Sequence, residues 1–364
     1  MRVAIAHEWL VRYAGSERCV EEMLRTFPDA VLLTSVIDRD AVPPLLRRAE
    51  PSSLQRLPFA TRRHEWLLPL MLPAWRLRRP VRGVDALLTS SHALVRAIRT
   101  EPGLPHVCYC HTPMRYAWDF DAEARRFPRA IRAPARPAMA ILRRVDRSTA
   151  RSVTRFVANS RAVADRIRRF YGRDAVVVHP PVRTDFFTPG TRNGHGGDFL
   201  YVGRLVSYKR PDLAVAAFAG LPYRLLVVGD GHLGAHLRAE APANVTFLGE
   251  VGDVELRRLY REACALVYPS EEDFGLVMAE AQACGTPVIG LARGGALDIV
   301  EPGRTGWLIE RPDVELLRSA VERSAEEELD RAEISRRAQR FSADRFRDAL
   351  RTIVEEAVSQ RRAA

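Results

Sequence analysis

Short apolar runs rich in β-branched residues alternate along this chain with longer stretches whose apolar positions recur at helical spacing. Strands joined by helical crossovers into parallel sheets give this pattern, so it predicts an α/β fold. In the first half the predicted strands are residues 3–6, 30–35, 85–89, 106–109, 155–158 and 175–178. The clearest helix covers residues 17–27. Residues 128–151 form an arginine-rich helical stretch that Pro134 and Pro137 are expected to break.

A second alternation begins after Pro180-Pro181 and the Gly-, Pro- and polar-rich segment 188–197, which reads as an interdomain linker. Its strands are predicted at residues 199–202, 224–228, 245–248, 265–268 and 287–290. From residue 313 the chain is helical and highly charged. The last amphipathic helix, about 343–359, has no strand after it and is expected to cross back to the first domain. The division expected is residues 1–182, joined by the C-terminal helix at about 343–364, and residues 183–342, each a doubly wound domain. With 364 residues, 47% of them hydrophobic, the chain can fill two cores.

Lys and Arg outnumber Asp and Glu by 56 to 45, for a formal charge of +11. That balance favours phosphates, acidic lipid or nucleic acid as partners. No helix-turn-helix, zinc-finger or RNA-recognition signature supports nucleic acid. The five cysteines form no C-x-x-C pair, which argues against a zinc ribbon or a disulfide framework. The opening residues read as a strand and lack signal-peptide character. No apolar run approaches the roughly 20 residues that span a bilayer. A cytoplasmic protein is expected.

The most informative segment runs from Tyr268-Pro269-Ser270 through Glu272-Asp273-Phe274-Gly275-Leu276 and Glu280 to Gly285-Thr286-Pro287. It reads as a strand end, a loop, a helix stopped by Gly285 and Pro287, and a further strand. Glu272 falls where open α/β sheets bind ligands, beyond the carboxyl end of a parallel strand. Backbone N–H groups around Gly275 and Leu276 can receive a phosphate or sugar oxygen. Two glutamates beside a helix start also serve simply to complement its dipole.

The full string resembles the family 4 retaining glycosyltransferases, whose mark is P-S-x-x-E-G-F-G-L-x-x-x-E-A-x-A-x-G-x-P-V. The match continues through Gly294-Gly295 and Gly303-x-Thr305-Gly306. It departs from the pattern in a loop one residue shorter before Glu272, and in Asp273 at a usual glycine. The resemblance implies the GT-B fold, two Rossmann-like domains with parallel sheets facing across a cleft. It also implies Glu272 beside the transferred sugar, Glu280 on the donor ribose, and Phe274, Gly275 and Leu276 around the donor.

Arg204 and Lys209 lie in the loop of Gly203-Arg204-Leu205-Val206-Ser207-Tyr208-Lys209-Arg210-Pro211, between a strand and a helix. A guanidinium fork and an ammonium together suit a diphosphate leaving group. In the family the matching Arg and Lys bind that group. Tyr13-Ala14-Gly15-Ser16-Glu17-Arg18 is similar to the family's G-G-x-E-R loop, with Ala14 in place of the first glycine. Gly15 there allows close approach of the backbone to phosphate. Cys108-Tyr109-Cys110-His111-Thr112-Pro113-Met114-Arg115-Tyr116-Ala117-Trp118-Asp119 places His111 just beyond an apolar strand. It resembles the H-T-P-x-R-Y-x-W-D segment of mannosyltransferase-like members, which implies that His111 meets the sugar or the departing phosphate. Cys108 and Cys110 read as strand residues rather than metal ligands.

Gly229-Asp230-Gly231-His232-Leu233-Gly234, with Glu250 further on, meets the description of a dinucleotide fingerprint and sustains a dinucleotide-dependent oxidoreductase as the rival reading. Asp38-Arg39-Asp40 and Asp119-Phe120-Asp121 spell D-x-D, a triplet common by chance, so no metal is expected. Residues 61–79 are apolar and aromatic in the middle and basic at both flanks. They suit either an anionic lipid interface, with Trp66 and Trp75 at headgroup level, or packing on the first domain. The resemblance implies a metal-independent retaining transferase with no cofactor. Its expected donor is GDP-mannose, or alternatively a UDP-sugar. The acceptor is a saccharide or lipid-linked glycan met at a peripheral membrane site.

Overall fold

The computed structural model describes residues 1–118, 129–190 and 197–363. The chain divides into two compact units, residues 1–181 with 344–364, and residues 182–343. Among the described residues the first unit holds a seven-stranded sheet in the order β3-β2-β1-β4-β5-β6-β7. The strands are β1 (Val3–His7), β2 (Val31–Thr34), β3 (Glu50–Pro51), β4 (Ala86–Ser91), β5 (His106–Cys110), β6 (Arg155–Ala158) and β7 (Ala175–Val177). All pairs are parallel. The pleat sends alternate side chains to opposite faces. Val3 and Ile5 join a core with Leu88 and Val107, whereas Ala4 and Ala6 join Leu87 and Trp75 on the other side. The helix Ala343–Ala363 closes the first of these cores, burying Phe346, Leu350, Ile353 and Val354 there.

Three elements depart from the sequence pattern. Strand β3 is a two-residue edge paired only with β2, too short to leave a periodic signature. The helix Gly15–Thr26 starts earlier than its apolar pattern, because the Glu17 carboxylate accepts the Ala14 N–H at 3.0 Å and so recruits polar residues into the first turn. The helix Arg129–Ala150 runs through Pro134 and Pro137 without a break. Each proline removes one N–H but keeps a helical φ. Further along, Asp146 anchors the helix: it pairs with the buried Arg96 and accepts the Trp118 indole N–H and the Tyr171 hydroxyl, both at 2.7 Å.

The second unit holds, among the described residues, a six-stranded sheet in the order β10-β9-β8-β11-β12-β13. Its strands are β8 (Phe199–Val202), β9 (Leu225–Val228), β10 (Val245–Gly249), β11 (Leu266–Tyr268), β12 (Val288–Leu291) and β13 (Gly306–Ile309). Phe199 and Tyr201 face one core, Leu200 and Val202 the other. Strand β13 escapes the sequence pattern because a glycine opens it. Gly306 has φ +153°, and a Cβ there would lie 2.0 Å from the Val288 carbonyl oxygen.

Strand order reverses direction between β1 and β4 in the first unit and between β8 and β11 in the second. At such switch points the connecting loops part to opposite faces and leave a crevice beyond the carboxyl ends of the strands.

Candidate active site

In the second unit the loops after β8 and β11 flank the switch point, and Lys209 and Glu272 join them. The Lys209 ammonium donates to Glu272 Oε1 at 2.6 Å and to the Tyr268 hydroxyl at 2.8 Å, and that hydroxyl donates to the same Glu272 oxygen at 3.0 Å. Both charged side chains remain partly accessible, 17% each. Burial, and then the Glu272 charge, push the Tyr268 phenol well above its ordinary pKa, so it stays a neutral donor. Of the 56 basic Lys and Arg residues in the chain, Lys209 is the sole lysine. A compact ammonium fits between a phenol and a carboxylate where a planar guanidinium does not. Arg204, exposed in the same loop, donates to the Tyr208 hydroxyl.

Glycines hold these loops together by close backbone approach. A Cβ on Gly294, whose φ is +61°, would sit 2.2 Å from the Glu272 carbonyl oxygen, and one on Gly295 would sit 2.1 Å from that of Phe274. Gly295 N–H donates to the Glu272 carbonyl at 2.8 Å. The glycines of Gly229-Asp230-Gly231 serve a similar purpose. Their Cβ atoms would lie 2.2 Å from the Gly203 oxygen and 2.5 Å from the Leu205 oxygen. Packing against the Arg204 loop therefore accounts for the dinucleotide-like spacing.

Gly275, at φ +96°, precedes the helix Leu276–Ala283. Phe274 turns its ring into the core against Phe341, centroids 5.4 Å apart, so only its backbone faces the loop. Glu280, 4% exposed on that helix, accepts the Tyr260 hydroxyl at 3.4 Å.

The first unit gathers polar groups at its own switch point. His111 follows β5, and its Nε2 lies 2.8 Å from Ser90 Oγ on β4. His7, the last residue of β1, sits opposite Ser90 in register and places Nδ1 3.0 Å from Ser90 Oγ and 3.2 Å from Ser90 O. Its Nε2 meets Glu17 Oε1 at 3.4 Å. Glu17 also receives the Ser16 hydroxyl at 2.9 Å, and so organises the turn that contains Gly15. Burial works against ionisation of Glu17, but hydrogen bonding and charge from His7 outweigh it and hold the carboxyl at about 2.

A model for the Glycosyltransferase Family 4 domain matches residues 13–186, and one for Glycosyl transferases group 1 matches residues 182–341. Both units are glycosyltransferase domains. The chain is 36% identical over 186 residues to D-inositol 3-phosphate glycosyltransferase of Mycobacterium sp. (strain KMS), covering 44% of this chain and 42% of that protein. The match thus spans less than half of the curated relative. Two solved structures share the fold. Sucrose-phosphate synthase from Thermosynechococcus elongatus has a TM-score of 0.75 at 18% identity, covering 99% of this chain and 100% of its own. Anabaena HepE in complex with UDP and glucose has a TM-score of 0.69 at 18% identity, covering 97% and 99%. The expected GT-B class holds: each glycosyltransferase domain carries its own parallel sheet.

The glycosyltransferase motifs pointed to Glu272, Lys209, Arg204, Gly275 and His111, but not to Tyr268, Ser90, His7 or Glu17 as their partners. A usable signal existed, since His7 ends an otherwise apolar strand and Ser90 lies in the polar run that closes another, both beside the switch point. Asp38 accepts the Asp40 N–H at 3.2 Å, an ordinary turn. Asp119, Phe120 and Asp121 lie outside the described residues, as does most of the linker segment. Among the described residues no group of three or more His, Cys, Asp or Glu is placed to hold a metal ion. No described helix is long and apolar enough to cross a membrane. Trp75 is fully buried in the core on the Ala4 and Ala6 face of the first sheet, packed inward from the helix Leu68–Leu77, so it does not reach a headgroup layer. Trp66 is 71% exposed.

Proposed function

We propose that the chain transfers a hexose from a nucleoside diphosphate sugar with retention of configuration and without a metal. The observation that carries this reading is the Lys209–Glu272 pair joining the two switch-point loops of the group 1 domain. Arg204 and Lys209 would take the diphosphate, whose charge grows as the bond to the sugar C1 breaks. Glu272 would orient Lys209 and face the sugar, Glu280 the donor ribose, and backbone N–H groups from Gly275 and Leu276 a sugar or phosphate oxygen. Gly15 in the family 4 domain would approach the phosphate, and His111 the sugar. The acceptor oxygen bonds to C1 on the face the leaving group vacates, and its proton passes to the departing phosphate oxygen.

The H-T-P-M-R-Y stretch favours GDP-mannose as donor. A second reading, a UDP-sugar, draws support from the structural likeness to a protein solved with UDP and glucose. Thermal stabilisation separates them. At a hundredfold excess over Kd a ligand bound only to the native state adds about 2.7 kcal/mol. GDP is expected to raise the melting temperature and NAD(H) to leave it unchanged. Stabilisation by UDP alone selects the second donor, whereas stabilisation by NAD(H) with neither diphosphate active refutes glycosyl transfer.

For the acceptor we favour a glycan carried at an anionic membrane. Phe59, Trp66, Leu70 and Leu77 are exposed in the first unit, among the exposed Arg62, Arg63, Arg76 and Arg79. Arg63 lies over the Trp66 ring at 4.2 Å. Apolar tips ringed by guanidinium groups suit an acidic headgroup layer. The protein is expected to sediment with phosphatidylglycerol vesicles at low salt, to dissociate as salt rises, and to bind less after Trp66→Ser with Leu77→Ser. Equal binding to phosphatidylcholine vesicles, or none to either, would dismiss the membrane reading.

A further inference from the structure

The family 4 domain contains a hydrogen-bond chain, Glu17–His7–Ser90–His111, whose hydrogens can be assigned from donor and acceptor chemistry alone. His7 Nδ1 stands 3.2 Å from the Ser90 carbonyl oxygen, which can only accept, so Nδ1 carries a hydrogen. His7 Nε2 faces the Glu17 carboxylate, another acceptor, and carries one too. Ser90 Oγ, 3.0 Å from His7 Nδ1, therefore accepts from His7. Among the described residues, its single hydrogen is left for His111 Nε2 at 2.8 Å. An imidazole nitrogen that accepts has no hydrogen of its own, so the hydrogen of neutral His111 sits on Nδ1.

We infer that His7 and Ser90 are positioning residues that fix His111 in the Nδ1–H tautomer, so that His111 enters the reaction as a hydrogen-bond donor and not as the base. This rests on the glycosyl-transfer reading, and it deepens that reading by restricting what His111 can do. A donor at Nδ1 suits an electron-rich sugar or phosphate oxygen, while Nε2, which would have to receive the acceptor's proton, is already occupied by the Ser90 hydroxyl.

The groups around the chain fit a His7 that donates from both ring nitrogens. Glu17 comes from the helix Gly15–Thr26, with its carboxyl held low. The neighbouring Glu8 is committed elsewhere, accepting the Ala93 and Val95 N–H groups at 2.8 and 3.0 Å. His92, 5.9 Å from His7 between ring centroids, has its pKa pushed well below the ordinary value, chiefly by burial. Arg12 adds positive charge near His92.

The test is a long-range proton–nitrogen correlation spectrum of the full chain labelled with 15N-histidine, at neutral pH and without substrate. His111 is assigned by the signals lost in His111→Gln. The expected spectrum shows a pyridine-like Nε2 and a pyrrole-like Nδ1 for His111, and two protonated nitrogens for His7. A pyrrole-like Nε2, or a doubly protonated His111, overturns the inference. Ser90→Ala should release the tautomer to a mixture and lower kcat by roughly tenfold to a hundredfold with the donor KM little changed, and Ser90→Thr should restore both. An unchanged tautomer and rate in Ser90→Ala also overturns it. If no nucleotide sugar is turned over while the spectrum is as expected, the glycosyl-transfer reading fails and the tautomer assignment stands.

Discussion

Glu272→Gln is expected to lower kcat for sugar transfer by about a hundredfold or more, the scale of losing a preorganised electrostatic group. The amide keeps the size of the side chain and one acceptor oxygen but drops the charge, so the Lys209 ammonium loses its ionic partner and the Tyr268 hydroxyl donates to a weaker, neutral acceptor. Because the pair is partly accessible, the fold should survive with little change in melting temperature. Lys209→Arg belongs in the same experiment. It keeps the positive charge, but the wider guanidinium cannot take the place of the ammonium, so activity should fall here too. Initial rates with donor and acceptor varied separately, beside a melting curve, give the readout. A Glu272→Gln enzyme within about threefold of wild-type kcat would remove Glu272 from the mechanism.

The largest loss of stability is expected from Asp146→Ala. Asp146 and Arg96 are both fully buried, and removing one partner leaves the other charge uncompensated, at a cost of about 3–5 kcal/mol. The Trp118 indole N–H and the Tyr171 hydroxyl lose their shared acceptor as well. For a unit of roughly two hundred residues this corresponds to a drop of about 6–20 °C in melting temperature. Asp146→Asn, which retains an acceptor, should cost less. Differential scanning calorimetry decides the matter, and a loss below about 1 kcal/mol for Asp146→Ala would mean that the pair contributes little beyond its packing.

The fold was legible where apolar runs were long and central. The runs behind β1, β4, β5, β8 and β11 announced themselves because both faces of a parallel strand are covered. Strand β3, an edge of two residues, and β13, opened by a strained glycine, had no such pattern to offer. In the site, Glu272 and Lys209 were legible as residues of a loop motif. The inward turn of Phe274 was not, because it depends on Phe341, far along the chain. Tyr268 and His7 end strands that look like plain core, and Ser90 lies one residue before the end of another. Their polar ends gain meaning only when strand order reveals which edges lie beside a switch point. Pro134 and Pro137 misled because proline is read by its own cost, while the Asp146 anchor lies elsewhere on the same helix.

The helix Ala343–Ala363 gives the two units different histories during synthesis. All of residues 182–343 leave the ribosome before the residues that complete the first core, although β1 is made first. The family 4 domain must therefore wait, the part of its first core that Phe346, Leu350, Ile353 and Val354 fill still open, while the group 1 domain is translated and free to fold. At about 5–20 residues per second that wait lasts on the order of ten seconds or more. The amino-terminal half of this chain is the last to mature, and for that interval it carries an apolar gap that a chaperone can hold.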